Sequence, residues 1–170
     1  MLPDILSLEE ACFSSPWTRK MLESELQGNQ FAHFLVAMQQ QGQSSAGSAC
    51  AIVGYHCFWI VFEELRLMNL AVRESVRRQG IGTALAAEAF RVALNHAATR
   101  AVLEVRASNK PARVLYTTMG FIQVGTRPQY YSNPLEDAVL MEMNPLVRPS
   151  GRQHVPTCRA GGESTSTDSL

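Results

Sequence analysis

The spacing of hydrophobic and polar positions divides the chain into alternating helices and strands. Residues 6–26 are rich in helix-forming residues, and the turn at residues 15–18 predicts two short helices, the second capped by Thr18. The polar, Gly- and Ser-rich segment 39–48 predicts a hairpin turn. Short aliphatic and aromatic segments predict strands, at residues 31–38, 49–60, 65–72, 101–106 and 138–143.

The segment between the third and fourth predicted strands has helical periodicity over residues 82–96. Its small and aliphatic residues recur on one face: Leu85, Ala86, Ala89, Val92 and Ala93. A strand, a helix and a strand in this order predict a right-handed crossover and a parallel strand pair. A further helix is predicted at residues 112–119, after Pro111 and before Gly120. Together these elements predict a mixed α/β sheet.

The length of 170 residues predicts one domain with one core. Beyond Pro145 the composition changes to Arg, Gly, Ser, Thr and Pro, which bury too little apolar surface to fold. We therefore expect a domain over residues 1–146 and a disordered tail over residues 147–170.

The balance of charge excludes some classes of partner. The 15 Lys and Arg residues equal the 15 Asp and Glu residues, which argues against a protein that binds nucleic acid directly. No apolar run reaches 18 residues and the first ten residues are acidic, so we expect a cytoplasmic protein that binds no membrane. The cysteines lack metal-ligand spacing, so free thiols and no metal are expected: Cys12, Cys50, Cys57 and Cys158.

The segment 76–83 is the strongest candidate for ligand chemistry, because it follows a strand and begins a helix. Gly80 and Gly82 allow close approach of a ligand to the backbone, and the first N–H groups of a helix bind anions such as a pyrophosphate. The dinucleotide fingerprint is incomplete, since Leu85 stands where its last glycine would be. From the residues alone, a tight turn without a ligand remains an alternative.

The wider context of this loop resembles a known family. The sequence R-x-x-G-x-G from Arg77 to Gly82, preceded by L-A-V-R-E-S from Leu70 to Ser75, resembles the acyl-CoA motif of the GNAT acetyltransferases. Further segments resemble the branch of ribosomal-protein-alanine N-acetyltransferases, and the resemblance covers residues 5–145. These segments are residues 103–109, 115–116, 119–121, 130–131 and 136–138.

This resemblance implies a fold and a reaction. The fold is a mixed, mostly antiparallel central sheet with a parallel pair at the acetyl-CoA site. The family's first strand has no counterpart before the first predicted helix, so the next strand would lie at an exposed edge. The implied reaction is transfer of an acetyl group from acetyl-CoA to the N-terminal α-amine of a protein, the alanine of a small-subunit ribosomal protein. We expect a monomer that attacks directly, without an acyl-enzyme.

The resemblance assigns the catalytic residues. Glu104 matches the general base, which takes a proton from the acceptor's ammonium, and Tyr116 matches the general acid, which protonates the leaving thiolate. The residues alone leave other roles open. Glu104 could be a solvent-facing strand residue paired with Arg106 or Arg100, and Tyr116 a core aromatic residue.

The resemblance also implies how the substrates are held. The backbone of residues 70–72 would follow the pantetheine arm, and an N–H near Val72 would polarise the thioester carbonyl. Tyr130 and Tyr131, predicted in the loop before the last strand, would contact the acceptor peptide, although they could equally be one core and one surface ring. The predicted acetyl-CoA contacts are Leu70, Ala71, Val72, Arg77, Arg78, Gln79, Gly80, Ile81, Gly82, Thr83 and Asn109.

Two other functions remain open at this point. The same fold could acetylate a small free amine such as a polyamine, an amino acid or an aminoglycoside. The chain could also be a CoA-binding protein without catalytic activity.

Overall fold

The computed structural model describes residues 1–41 and 49–148. In these two ranges the chain forms four α-helices, one short 3-10 helix and six strands. In chain order they are α1 (Leu2–Cys12), α2 (Arg19–Gly28), β1 (Ala32–Gln41), β2 (Ala49–Val61), β3 (Glu64–Val72), the 3-10 turn Glu74–Val76, α3 (Ile81–Asn95), β4 (Arg100–Arg106), α4 (Lys110–Thr118), β5 (Ile122–Ser132) and β6 (Leu135–Met143).

The six strands form one sheet in the order β1-β2-β3-β4-β6-β5. Every neighbouring pair is antiparallel except β3 and β4, which are parallel. This confirms the predicted mixed, mostly antiparallel sheet with one parallel pair. β1 lies at one end of the sheet, as expected for the first strand of this chain.

The helices cover both faces of the sheet and define two apolar clusters. Alternate residues of β2 point to opposite faces, so Tyr55 and Cys57 pack with Ile5 and Leu22 from α1 and α2. On the other face, Phe58 packs in a larger cluster with residues of α3, α4 and β4. The middle of β2 is therefore buried on both sides.

The parallel pair separates part of the way along its length. β3 pairs with β4 only from Glu64 to Leu67, opposite Arg100 to Leu103. β3 then stays on β2 as far as Val72, with a register shift between Leu67 and Leu70, while β4 stays on β6 as far as Arg106. A gap therefore opens between the carboxyl-terminal ends of β3 and β4.

Most predicted elements are confirmed, and the difference lies in β5. The Thr18 hydroxyl accepts a hydrogen bond from the N–H of Met21 at 3.3 Å, which is the predicted cap. β5 was not predicted because nearly all its residues are exposed at the sheet's edge, so it has no apolar pattern. The prediction that Tyr130 and Tyr131 lie in a loop is therefore wrong, since both belong to β5.

Two predicted features lie wholly or largely outside the described residues. They are the tip of the hairpin turn, residues 42–48, and the tail beyond residue 148. Among the described residues, no helix combines the length and the apolar character needed to cross a membrane.

Candidate active site

A cavity of about 230 Å³ lies where β3 and β4 separate. It brings together both predicted catalytic residues, Glu104 and Tyr116, and one of the two predicted acceptor residues, Tyr131. Trp17 and Asn69 contribute from the α1–α2 loop and from β3. Leu103 and Val105, on either side of Glu104 in β4, point into the apolar cluster that contains Tyr116. Successive side chains of a strand point to opposite faces, so Glu104 points away from that cluster. The gap between the strands lets both side chains reach one space.

A larger cavity of about 550 Å³ lies at the other ends of β3 and β4. Three of its charged groups are already paired with one another: Glu64 contacts Arg66 at 2.5 Å and Arg100 at 2.6 Å. None of the predicted site residues lines it. We therefore place the chemistry in the smaller cavity.

Glu104 is ion-paired, though with a residue that the sequence did not indicate. Arg127 Nη1 lies 2.7 Å from Glu104 Oε1, and the Glu104 side chain is 32% exposed. The alternative of an ion-paired, partly exposed strand residue is correct in kind, but both of its named partners are wrong, because Arg106 pairs with Glu136 at 3.4 Å and Arg100 pairs with Glu64. The Glu104 carboxylate also lies close to the Tyr130 hydroxyl and raises the pKa of Tyr130.

Tyr116 is held inside the protein near the end of α4. Its ring packs edge-on against Phe121 with the ring centroids 5.6 Å apart, and only 6% of the residue is exposed. Burial raises the pKa of the Tyr116 phenol above its usual value, so the hydroxyl keeps its proton. The phenol lines the cavity in its protonated form, and its raised pKa makes it a weaker acid than an exposed tyrosine.

The loop before α3 has the geometry of an anion site. Gly80 is the N-cap of α3 with φ +82°, a left-handed conformation, and the helix start has no side-chain cap. A Cβ on Gly80 would meet no atom within 4 Å, so the space beside the loop is open. The N–H groups at the start of α3, at Ile81, Gly82 and Thr83, can therefore bind a phosphate group.

The preceding arginines differ in their placement. Arg77 turns back toward β3: its Nε donates to the carbonyl of Val72 at 3.0 Å, and its Nη2 lies 3.5 Å from Cys12 Sγ. Arg78, with φ +63°, and Gln79 are exposed in the loop itself. Arg77 thus connects the loop to the end of β3 by a hydrogen bond, whereas Arg78 is exposed.

The edge of β3 that faces the gap is without a strand partner beyond Leu67. Its other edge pairs with β2, where Leu70, Ala71 and Val72 lie opposite His56, Tyr55 and Gly54. Gly54 is required there, because a Cβ would lie 2.9 Å from the carbonyl oxygen of Ala71. The backbone of residues 70–72 is therefore held firmly from one side and accessible from the other.

Asn109 has a structural role as well as a place in the cavity wall. It is the N-cap of α4, and its Oδ1 accepts a hydrogen bond from the N–H of Ala112 at 3.2 Å. The same residue lines the cavity. Its side-chain oxygen is thus already engaged by the helix that carries Tyr116.

Both predicted acceptor tyrosines lie at an irregularity in β5. Arg127 pairs with Ala138 and Tyr131 with Glu136, so two extra residues bulge from β5, where Gln129 has φ +52°. Neither ring belongs to the core, since Tyr130 is 46% exposed and Tyr131 is half-buried. Each ring faces a guanidinium group: Arg127 lies 4.9 Å from the Tyr130 ring centroid and Arg106 4.1 Å from that of Tyr131. Burial raises the pKa of Tyr131 to about 12.

Two polar networks around the cavity were not predicted. In the first, the hydroxyls of Ser14 and Ser15 donate to the carbonyl of Asn133 at 3.0 and 3.3 Å, which joins the α1–α2 loop to the β5–β6 turn. Arg106 donates to the same carbonyl at 2.9 Å. These residues are distant in sequence and mostly exposed, so no hydrophobic pattern marks them.

The second network surrounds Glu9, which is completely buried. Its carboxylate accepts hydrogen bonds from the N–H of Trp17 at 2.6 Å, from Asn69 Nδ2 at 2.9 Å and from the Tyr55 hydroxyl. Trp17 and Asn69 both line the cavity. The sequence offered one indication of this network: Glu9 is a carboxylate at a position of α1 that faces the core.

The cysteines and histidines of the described residues form neither a metal-binding cluster nor a disulfide. The described residues hold no group of three or more His, Cys, Asp or Glu side chains that could bind a metal ion. Cys12, Cys50 and Cys57 are thiols without a disulfide, and Cys158 lies outside the described residues. Burial raises the pKa of Cys57, which makes it a poor nucleophile.

The site thus combines a splayed parallel pair, a cavity where the two strands separate and an uncapped, glycine-led helix that follows β3. Comparison with known proteins identifies the class. The chain belongs to the Acetyltransferase (GNAT) family, which matches residues 2–121. It is an N-acetyltransferase by this membership.

The relatives point to one branch of the family. The ribosomal protein bS18-alanine N-acetyltransferase of Escherichia coli (strain K12) is 32% identical over 84% of this chain and 90% of its own length. A Bacillus subtilis (strain 168) protein named for the same reaction is 34% identical over 81% and 85%. The crystal structure of the Escherichia coli ribosomal-protein-S18-alanine N-acetyltransferase superposes with a TM-score of 0.70 at 26% identity, over 90% of this chain and 93% of that one.

Proposed function

We propose that this protein transfers the acetyl group of acetyl-CoA to the N-terminal α-amine of a protein, namely the N-terminal alanine of the ribosomal protein bS18. The observation that carries the proposal is the meeting of Glu104 and Tyr116 in one cavity at the gap between β3 and β4. The substrate follows from the relatives, which are named for acetylation of this alanine.

Glu104 acts as the general base in this proposal. An α-amine has a pKa of about 8, so most of it is protonated at neutral pH and cannot attack a thioester. The Glu104 carboxylate is partly exposed at the cavity and can take that proton. Its neighbours Arg127 and Tyr130 are both on β5.

Tyr116 acts as the general acid. The departing thiolate corresponds to a thiol with a pKa of about 8.5, and its protonation prevents the reverse attack. Burial keeps the Tyr116 phenol protonated at neutral pH, so a proton is present when the thiolate forms, although the raised pKa makes the phenol a weaker acid. Asn109 caps the helix that holds the phenol in place.

The residues present fit acetyl-CoA, which supplies the acetyl thioester when bound. The loop of residues 77–83 offers uncapped N–H groups and open space beside Gly80 for the phosphates. The accessible edge of β3 at residues 70–72 can bond the amide-rich pantetheine arm, and Asn109 lies across the gap from it. No cysteine in the described cavity wall offers a route through an acyl-enzyme.

The acceptor would lie against the bulged part of β5, where Tyr130 and Tyr131 present aromatic surface and a hydroxyl beside Glu104. An extended peptide can bind to such a surface, because its first side chains can pack on the aromatic rings and its backbone can hydrogen-bond to the hydroxyl. The Ser14–Asn133 contacts border the same region.

The direct test uses the purified chain, acetyl-CoA and a synthetic peptide with the N-terminal sequence of bS18 beginning at alanine. We expect one acetyl group, located on the α-amine by fragmentation mass spectrometry. The matched control is the same peptide with a formylated N-terminus, which should not react. Acetylation of spermidine or free amino acids without acetylation of the peptide would contradict the proposal, as would acetylation of a lysine side chain.

In cells, mass spectrometry of protein N-termini should find the bS18 alanine acetylated when this chain is present and unmodified when its gene is deleted. A variant with Glu104→Gln supplied in place of the parent should leave the terminus unmodified. An unchanged bS18 N-terminus in the deletion would assign the substrate elsewhere.

A further inference from the structure

The carboxylate of Glu104 is already occupied by a cation from the protein itself. Arg127 Nη1 lies 2.7 Å from Glu104 Oε1, and the guanidinium carbon lies 4.9 Å from the centroid of the Tyr130 ring. A carboxylate beside an aromatic face is the general environment in which proteins bind organic cations. The protonated amine of an acceptor is such a cation.

The register of the sheet explains how Arg127 reaches this place. Arg106, Ala138 and Arg127 lie in one row across β4, β6 and β5, and Glu104 lies two residues earlier on β4, on the same face. In this row, β6 contributes only the methyl group of Ala138. The long side chain of Arg127 can therefore cross β6 to Glu104.

The contact can also be released. The Arg127 side chain is 51% exposed, and the bulge beside it leaves residues 128–130 outside the regular ladder of β5 and β6. A guanidinium at the surface that leaves one anion is solvated by water at little cost. By contrast, Arg106 is fixed by the carbonyls of Asn133 and Pro134 and by Glu136.

We propose that Arg127 occupies the subsite of the acceptor's ammonium group, between the Glu104 carboxylate and the Tyr130 ring, and competes with the acceptor for it. The inference rests on the proposed function, because it takes Glu104 to be the group that receives the acceptor's amine. The acceptor therefore binds as a cation, and displacement of Arg127 makes its binding free energy less favourable. The competition weakens every acceptor by the same factor, since each must displace the same side chain.

The test measures binding of a minimal acceptor, alaninamide, by NMR titration of the CoA-bound protein. Arg127→Gln removes the charge and keeps much of the side-chain length. We expect Arg127→Gln to lower the Kd of alaninamide about two- to fivefold, the range for loss of a partly exposed ion pair. Arg91→Gln is the matched control, because Arg91 pairs with Glu88 at 2.6 Å on the surface of α3, and its Kd should equal that of the parent.

A double-variant cycle distinguishes competition from other effects. In a Glu104→Gln background, where no carboxylate remains to be contested, Arg127→Gln should leave the Kd unchanged. Methylguanidinium should inhibit the parent competitively against the acceptor peptide, and more strongly in Arg127→Gln. In steady-state assays, Arg127→Gln should lower the acceptor KM with kcat nearly unchanged.

An unchanged or higher Kd for alaninamide in Arg127→Gln would overturn the competition. A fall in kcat at constant KM would also overturn it, because Arg127 would then position Glu104 for the reaction. Failure of the proposed function gives a different result: the parent would not acetylate the bS18 peptide, whereas the binding measurements do not depend on turnover.

Discussion

The hydroxyl of Tyr55 donates a hydrogen bond to the carboxylate of Glu9, and both residues are completely buried. Tyr55 belongs to β2 and Glu9 to α1, and Glu9 also receives the N–H of Trp17 and the side chain of Asn69. A buried carboxylate is stable only when its oxygens are hydrogen-bonded. The network thereby fixes α1 to the sheet and holds two residues of the cavity wall, Trp17 and Asn69, in position.

Tyr55→Phe should therefore destabilise the protein by about 1.5–3 kcal/mol, the usual contribution of a hydrogen bond to a charged group. Urea unfolding at pH 7 measures the change. Tyr116→Phe is the comparison variant, because it also removes a phenolic hydroxyl, but one on the cavity wall that makes no side-chain hydrogen bond like that of Tyr55 to Glu9. Equal losses for the two variants would show that the Glu9 contact contributes nothing.

Glu104→Gln should lower kcat by about 100-fold or more, as expected when a general base is replaced by a group of the same shape that cannot take a proton. Acetyl-CoA affinity, measured by calorimetry, should stay at the parent value, since the loop proposed to bind the phosphates is a separate segment before α3. Glu10→Gln, an exposed position on α1, serves as the control. An unchanged kcat for Glu104→Gln would remove Glu104 from the mechanism.

Tyr116→Phe should lower kcat by about 100-fold with little change in the KM of either substrate, because the hydroxyl acts on the leaving group in the transition state. The ring packing against Phe121 is kept in this variant. Release of CoA can be followed with a thiol reagent. A parent-like rate would mean that another group, or water, protonates the thiolate.

Gly80→Ala should weaken acetyl-CoA binding about tenfold. Gly80 has φ +82°, and a side chain in the left-handed region costs about 1–2 kcal/mol, so the loop would relax away from the conformation that presents its N–H groups. Gly28→Ala is the control, since its nearest neighbour to a new Cβ is 3.9 Å away and its φ is ordinary. Calorimetric affinities that match for the two variants would place the phosphates elsewhere.

His56 should make the protein less stable as the pH falls. It is completely buried beside Phe58, its Nδ1 lies 3.4 Å from the carbonyl oxygen of Leu85, and its Nε2 has no partner among the described residues. Burial lowers the pKa of His56 from 6.5 to about 4. Between these values the unfolded chain binds more protons than the folded one, so stability present above pH 6.5 is lost as the pH falls toward 4.

The loss attributable to His56 is up to about 3 kcal/mol over that interval. Urea unfolding at pH 7 and pH 4.5 should give a smaller difference for His56→Leu than for the parent. His96→Gln, at an exposed position after α3, should keep the parent's dependence. If His56→Leu loses as much stability as the parent on acidification, other groups control the acid transition.

The sequence by itself determined the secondary structure wherever local chemistry is sufficient. Thr18 caps α2 because a hydroxyl beside the first turn bonds a free N–H, and Gly80 begins α3 because its left-handed backbone needs glycine. The apolar face of residues 85–93 is buried as its spacing predicts. The motif around residues 70–82 was sufficient to assign the family.

Only the tertiary structure decided which side chains meet at the site. β5 lacks a hydrophobic pattern because it is an exposed edge, so neither the strand nor its bulge was visible in the sequence. The partner of Glu104 is 23 residues away and reaches it across β6, past the methyl group of Ala138. Glu104 points away from one face of the sheet and Tyr116, on α4, packs against the other, and the two share a cavity because β3 and β4 separate after Leu67 and Leu103. Such long-range contacts depend on strand register and strand divergence, which residue periodicity does not encode.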